Sequence, residues 1–239
     1  MRVLITSGGT HEALDGVRSV TNFSTGATGA CIADYFIGRG AAVHLLYGRA
    51  ALLPDLLKHK TAGCFMEEFS SFADLDARMQ RFLKAVDHLD AVIHLAAVSD
   101  FSPVKIVTES GLVLRPQDQG KIPSHEGFTV TFAVNGKIID HIREYCGRSG
   151  SGKSPLVVGF KLTHAASKEK RMTALNKLVQ RGVCDLIVHN DLHEISAGQH
   201  AAEYFDAAGN FLSASRTKQE MAEKLYQFCH TYSERGRIL

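Results

Sequence analysis

Residues 5–31 read ITSGGTHEALDGVRSVTNFSTGATGAC, and the fold follows from how this stretch begins and ends. It leaves an apolar strand, Val3-Leu4-Ile5, and enters an amphipathic helix near Gly26. Between them lie about twenty residues of glycine, hydroxyl and charge, whereas ordinary strand-to-helix loops run roughly 2–6 residues and much longer ones are usually functional or disordered. The loop stands at the C-terminal end of the first strand, where open α/β sheets bind ligands.

Outward from it, apolar runs and helical periodicities alternate. The helix is predicted over residues 26–39, with Ala30, Ile32, Ala33, Tyr35 and Phe36 on or near one face and Gly40 as its stop. Strands are predicted at 42–47 and, more weakly, 61–66, with one helical turn at 55–58. Ser70 is expected to cap a helix over 72–86. Asp90–Val98 is the clearest buried strand. After it, strands at 155–162 and 184–189 and helices at 137–146 and 167–181 are expected. A closing hairpin (202–206 and 210–213) and a last helix (215–232) follow. Alternating strands and helices imply a doubly wound, mainly parallel, Rossmann-like α/β sheet. Residues 101–135 break the rhythm. Residues 101–125 are polar and hold three of the five prolines, and strand-like pieces lie at 111–115 and 128–133. The segment reads as a hairpin-like excursion that could serve as a dimer arm.

Composition narrows the function. A length of 239 residues suits one large α/β domain, and 45% hydrophobic residues supply a full core. A net charge of +2, with no basic run, gives no ground for a nucleic-acid partner. No apolar run suits a membrane span and no signal peptide is evident. Five cysteines stand singly, without C-x-x-C or zinc spacing, so a reducing, cytoplasmic location is expected.

Five places carry candidate chemistry. Ser24-Thr25-Gly26-Ala27-Thr28-Gly29 opens a helix, whose N-terminus favours an anion; the bland alternative is a capped helix with a small packing face. Asp15-Gly16-Val17-Arg18…Asn22 offers a guanidinium for a phosphate or carboxylate, or an internal Asp–Arg pair that shapes the loop. Ala96-Ala97-Val98-Ser99-Asp100 ends the best strand with small residues and a carboxylate, a ligand contact or a turn aspartate. Lys121, in Gly-Lys-Ile-Pro-Ser, could close over a phosphate or be a solvated charge. Phe160 and Asn190 sit in or after apolar strands, as crevice lining or as core and cap. No Asp or Glu ends the second strand and no Tyr-x-x-x-Lys pair occurs, which disfavours a nicotinamide-dependent reductase. Residues 147–154, GRSGSGKS, fit G-x-x-x-x-G-K-[ST], but a helix precedes them and a strand follows, the inverse of a phosphate-binding P-loop.

TSGGTHEALDGVRSVTNFSTGATGA, AAVSDF, GKIPS, VVGFKL and DLIVHND, in this order, resemble phosphopantothenate–cysteine ligase, also called phosphopantothenoylcysteine synthetase, of coenzyme A biosynthesis. The resemblance is to the stand-alone ligase, without the flavin-dependent decarboxylase domain fused ahead of it in many bacterial relatives. It implies a CTP- or ATP-dependent union of 4′-phosphopantothenate with L-cysteine through an acyl nucleotidylate. Magnesium would accompany the nucleotide, and the enzyme would be a homodimer with shared active sites. By resemblance Gly8, Ser24, Gly26 and Gly29 hold the triphosphate, and Phe160 and Asn190 lie near base and ribose. Asn22, Ala96, Ala97 and Asp100 hold phosphopantothenate and the activated intermediate. Arg18 reaches the substrate phosphate, from the other subunit, and Lys121 on a strap stabilises charge during nucleotidyl transfer. Asn22 and Lys121 are thus the catalytic pair; the resemblance names no metal ligand.

The chain departs from the fused bacterial pattern twice. Pro123 and Ser124 stand where further strap lysines occur, and Val134-Asn135-Gly136 replaces a Lys-Asn-Pro stretch. Lys137, Lys105 and Lys161 are the cations that could compensate. A non-catalytic nucleotide-binding module with a decayed strap is the reading these losses keep open.

Overall fold

The computed structural model describes residues 1–59, 61–116, 120–122, 124–147, 154–196 and 198–235. Its main sheet has eight strands, and the six parallel ones come first in the chain. These are β1 (Arg2–Ser7), β4 (Ala42–Gly48), β5 (Phe65–Phe69), β6 (Ala91–His94), β10 (Leu156–Thr163) and β11 (Leu186–Asp191). The intervening strands β2 (His11–Ala13), β3 (Ser19–Thr21), β7 (Phe101–Thr108), β8 (Val113–Leu114) and β9 (Phe128–Val134) form two small antiparallel sheets. An antiparallel hairpin of β12 (Ala202–Asp206) and β13 (Phe211–Ser215) extends the main sheet past β11.

In space the parallel strands run β5-β4-β1-β6-β10-β11. Numbered along the chain this is 3-2-1-4-5-6, the doubly wound order, and it reverses between β1 and β6. β1 is buried on both edges because it pairs in parallel with β4 (Val3 opposite Val43) and with β6 (Val3 opposite Ala91).

The two faces of the sheet are read off alternate residues, as the period of a strand requires. Val3, Ile5, Val43, Leu45 and Ile93 pack with α1 (Ala27–Gly38) and α5 (Lys218–Arg235). Leu4, Leu46, Val92 and Val157 pack with α2 (Phe72–Ala85) and α3 (Ile138–Tyr145). α4 (Lys168–Arg181) covers Ile187 on that second face through Leu175. Helices therefore cover both sides of an apolar parallel sheet.

Several boundaries differ from expectation. The third strand is Phe65–Phe69, not residues 61–66: it is the sheet edge, and its Glu67 pairs with Arg78 and Arg81. α2 is capped by Ser71, whose Oγ accepts from Asp74 N–H at 3.3 Å, while Ser70 binds the Asp74 carboxylate instead. The fourth parallel strand ends at His94, and residues 95–100 form a loop that builds the site. Residues 101–108, read as a polar break, are a full strand with a register shift between Pro103 and Lys105, the kind of place where a strand tolerates proline. The long first loop contains the β2–β3 hairpin. Of residues 147–154, positions 148–153 lie outside the described residues; α3 precedes them and β10 follows, the inverted order the sequence implies. The cysteines are all free, and among the described residues no helix is long and apolar enough to cross a membrane.

Candidate functional site

The strand order reverses between β1 and β6, which opens a crevice beyond their C-terminal ends. Ala97 N–H donates to Gly8 C=O at 2.8 Å and Thr10 N–H to Ala97 C=O at 3.2 Å. Thr10 Oγ1 accepts from Ser99 N–H at 2.9 Å. Below them Thr6 Oγ1 accepts from Ala96 N–H at 3.2 Å and lies 2.9 Å from His94 Nδ1. Burial holds the His94 imidazole neutral, its pKa lowered to about 4. A neutral imidazole has one donor and one acceptor nitrogen and a hydroxyl can play either part, so Thr6 and His94 can satisfy each other at Nδ1.

Glycine makes the next layer possible. Gly8 (φ +81°) and Gly26 (φ +70°) occupy the left-handed region. A methyl on Gly8 would stand 2.7 Å from Ala51 Cβ, and one on Gly26 would stand 2.6 Å from the same atom. Gly26 is the N-cap of α1, and its carbonyl accepts from Ser7 Oγ at 3.1 Å. One turn on, a methyl on Gly29 would lie 2.1 Å from Ser7 Oγ and 2.4 Å from Ser7 Cβ. The small residues thus let the α1 N-terminus settle on the end of β1, with its free N–H groups at the crevice.

Asn22 joins the two halves. Its Nδ2 donates to Val98 C=O at 3.2 Å, so the end of the first loop rests on the β6–β7 loop. Gly8, Asn22, Gly26, Gly29, Ala96 and Ala97 are therefore gathered at one place. Asp100 lies at the end of the same loop and forms an ion pair with Lys137, the N-cap of α3; Asn135 fastens that turn by donating to Ser99 C=O at 3.0 Å. Of the three compensating lysines, Lys137 is the one paired with a predicted site residue. Ser24 is half-buried just ahead of Gly26.

Arg18 forms the internal pair that is one of the two readings its sequence allows. Its Nε lies 3.1 Å from Asp15 Oδ2, its NH2 donates to Ile122 C=O at 2.5 Å, and its guanidinium lies over the Phe128 ring. The internal Asp–Arg pair exists, and it reaches the foot of the strap that carries Lys121. Lys121 itself is exposed.

Phe160 and Asn190 belong to β10 and β11, one and two strands beyond β6. Phe160 is half-buried against the core, and the Asn190 amide donates to Ala201 C=O at 2.9 Å. Asp191 follows Asn190 at the end of β11. It is fully buried and accepts from Thr163 Oγ1 at 2.6 Å and from the backbone N–H of Ala165, Ala166 and His193. The Thr163 hydroxyl and, against the effect of burial, those N–H groups hold its pKa far below the carboxylate range. It ties the loop after β10 to the loop after β11. Its sequence signal was only its place after an apolar strand.

A cavity of about 570 Å³ lies outside this crevice, on the outer side of α1 between Tyr35, Leu52 and Gln219. Among the described residues no group of three or more His, Cys, Asp or Glu side chains could hold a metal.

The family description "DNA/pantothenate metabolism flavoprotein C-terminal domain" matches residues 1–232. The chain belongs to this family. A member of known structure, the DNA/pantothenate metabolism flavoprotein from Streptococcus pneumoniae, superposes with a TM-score of 0.81 at 30% identity, covering 97% of this chain and 99% of that one. The coenzyme A biosynthesis bifunctional protein CoaBC of Thermococcus kodakarensis is 27% identical over 225 residues, 94% of this chain and 50% of its own. The chain spans about half the length of the curated relatives it matches. The Cab2 mutant H337A, solved in complex with phosphopantothenate-cysteine, shares the fold, with a TM-score of 0.71 at 17% identity over 98% of this chain and 88% of that one.

Proposed function

We propose that the protein is a phosphopantothenate–cysteine ligase of coenzyme A biosynthesis. The observation that carries this reading is the Asn22 amide on the Ala97–Val98 turn, beside the Gly26–Gly29 helix start: one crevice offers an anion cradle and an amide for a second ligand. Membership of a family whose relatives include CoaBC and the Cab2 complex supports the substrate class.

The chemistry divides into two displacements. A carboxylate oxygen of 4′-phosphopantothenate attacks the α-phosphorus of CTP or ATP, and the bond to pyrophosphate breaks. The cysteine amine then attacks the acyl carbon; an amide forms, a proton is lost and the nucleoside monophosphate leaves with the bonding pair. Catalysis of such transfers is mainly positioning and charge neutralisation. Gly8, Ser24, Gly26 and Gly29 would seat the triphosphate, with Phe160 and Asn190 toward base and ribose. Asn22, Ala96, Ala97 and Asp100 would hold the acyl partner, and Arg18 would address its phosphate. Lys121 would neutralise charge as pyrophosphate departs. Magnesium would enter on the nucleotide and screen its phosphates, with Asp100 the carboxylate at hand, since such ions are commonly held by one or two carboxylates plus substrate phosphates.

We read residues 1–239 as one ligase domain acting in the cytoplasm as a homodimer. The arm supports the dimer: Phe101, Val104, Val113, Phe132 and Val134 are exposed on β7–β9. The test is pyrophosphate release with 4′-phosphopantothenate, L-cysteine, magnesium and either CTP or ATP. Asn22→Ala is expected to form the acyl nucleotidylate and stall; Lys121→Ala is expected to form it slowly. No release with either nucleotide refutes the ligase reading.

A further inference from the structure

The strap is held at its foot by the hairpin in the first loop. Asp15 sits in the β2–β3 turn with its side chain almost wholly buried. Its two oxygens have different work. Oδ1 accepts from Val17 N–H at 2.9 Å and Arg18 N–H at 2.7 Å, which shapes the turn. Oδ2 accepts from Ile122 N–H at 3.0 Å, 107 residues away in sequence, and faces Arg18 Nε. Arg18 then donates to Ile122 C=O, so both backbone polar groups of Ile122 are engaged. Gly16 N–H reaches Gly120 C=O at 3.4 Å, and the Ile122 side chain is 1% exposed. Lys121 lies between two anchored neighbours, its side chain outward.

We infer that Asp15 is a positioning residue: through Oδ2 and Arg18 it fixes the strap backbone at Gly120–Ile122 and so sets where the Lys121 ammonium stands. The inference rests on the ligase reading for what Lys121 does, and on geometry alone for how it is held. A turn aspartate needs only Oδ1. The second oxygen brings a buried charge to a distant segment, and buried charges persist when paired and hydrogen-bonded. It also makes one guanidinium serve two ends, since the arginine that the sequence offers to a phosphate is the one that grips the strap.

Asp15→Asn separates the two tasks. The amide oxygen can keep the Val17 and Arg18 N–H bonds, but the amide nitrogen has no lone pair to accept from Ile122 N–H. Hydrogen exchange at Ile122 is expected to quicken about tenfold, the loss of one net hydrogen bond, with Val17 and Arg18 unchanged. The rate of pyrophosphate release is expected to fall about 10–100-fold, as for a group displaced by an ångström, with nucleotide KM within about twofold. The discriminating measurement is the double variant. Asp15→Asn with Lys121→Ala should be no slower than Lys121→Ala alone, because the first change acts through the second residue. Additive losses, or unchanged exchange at Ile122, overturn the inference. Asp15→Ser, whose single hydroxyl can accept within the turn but leaves Ile122 N–H without its partner, repeats the test if Asp15→Asn fails to fold. If the wild type releases no pyrophosphate, the ligase reading falls while Ile122 exchange still decides the latch.

Discussion

Gly29→Ala should destabilise this protein although alanine is the better helix former. In an open helix position the change gains about 1 kcal/mol from propensity. Here the new methyl would stand 2.1 Å from Ser7 Oγ and 2.4 Å from Ser7 Cβ. Rotating the Ser7 hydroxyl relieves the first contact but not the second, so the α1 N-terminus must lift from β1. Overpacking of this kind costs about 1–3 kcal/mol. The Ser7–Gly26 hydrogen bond goes with it, about 1 kcal/mol more. The net is a loss of about 1–3 kcal/mol, or a few degrees in Tm for a chain of this size. Gly38, in the last turn of the same helix, is the control: a methyl there meets only Leu56 Cδ1, at 3.9 Å, so Gly38→Ala should be neutral or stabilising. Urea unfolding of the two variants, with triphosphate affinity measured alongside, gives the answer. A Gly29→Ala protein as stable as Gly38→Ala, binding nucleotide normally, would refute the packing argument for the phosphate cradle.

Acid should weaken the fold in two stages. His94 is held neutral by burial down to about pH 4, so below its ordinary pKa of about 6.5 the unfolded chain binds a proton the native one refuses, and stability falls by up to about 3 kcal/mol between these limits. For Asp15 burial acts to raise the pKa, but the N–H groups of Val17, Ile122 and Arg18 and then the Arg18 charge outweigh it. Asp15 and Asp191, both lowered, add their losses only below the usual carboxylate range. Unfolding free energies measured across pH 3–8 should therefore fall more gently for His94→Gln than for the wild type; parallel curves would contradict this. Asp191→Ala should quicken hydrogen exchange at Ala165 and Ala166 while leaving Ala27–Gly38 protected; equal change in both would mean global loosening instead. Phe132→Glu should shift the sedimentation of the protein to the monomer and abolish turnover; an active monomer would remove the shared-site reading.

The parallel core was legible because buried strands are continuous apolar runs, and Val3–Ile5, Ala91–Ile93 and Leu156–Val158 are all of that kind. The edge strand Phe65–Phe69 was misplaced because it is no continuous apolar run: only Phe69 is buried, and Glu67 is turned to Arg78 and Arg81. The hairpin His11–Thr21 escaped notice because its strands are three residues long and its turn is made by a side chain, Asp15. Gly26, Gly29 and Ala97 stood out by small size at strand and helix ends, whereas Gly8 was reached only through the family resemblance. Arg18 could be read as a phosphate ligand or as half of an internal pair, since its contact with Ile122 spans 104 residues and no local spacing encodes it. The role of Asp191 was hidden for a similar reason: its partners Thr163, Ala165 and Ala166 come from the end of β10 and the loop after it.

The central place of β1 has a consequence for how the molecule is made. β1 pairs with β4 and with β6, both later in the chain, and Thr6 meets His94 across 88 residues. At roughly 5–20 residues per second, several seconds separate the two on a ribosome. During that time the β6-side edge of β1, whose residues Val3–Ser7 are all buried in the finished sheet, stands open, the condition that invites strand-to-strand aggregation. The crevice does not exist until β6 arrives to close it. Nucleotide could not stabilise a nascent chain that has not yet reached β6, and truncations before Asp100 should be found in inclusion bodies rather than as binding-competent fragments.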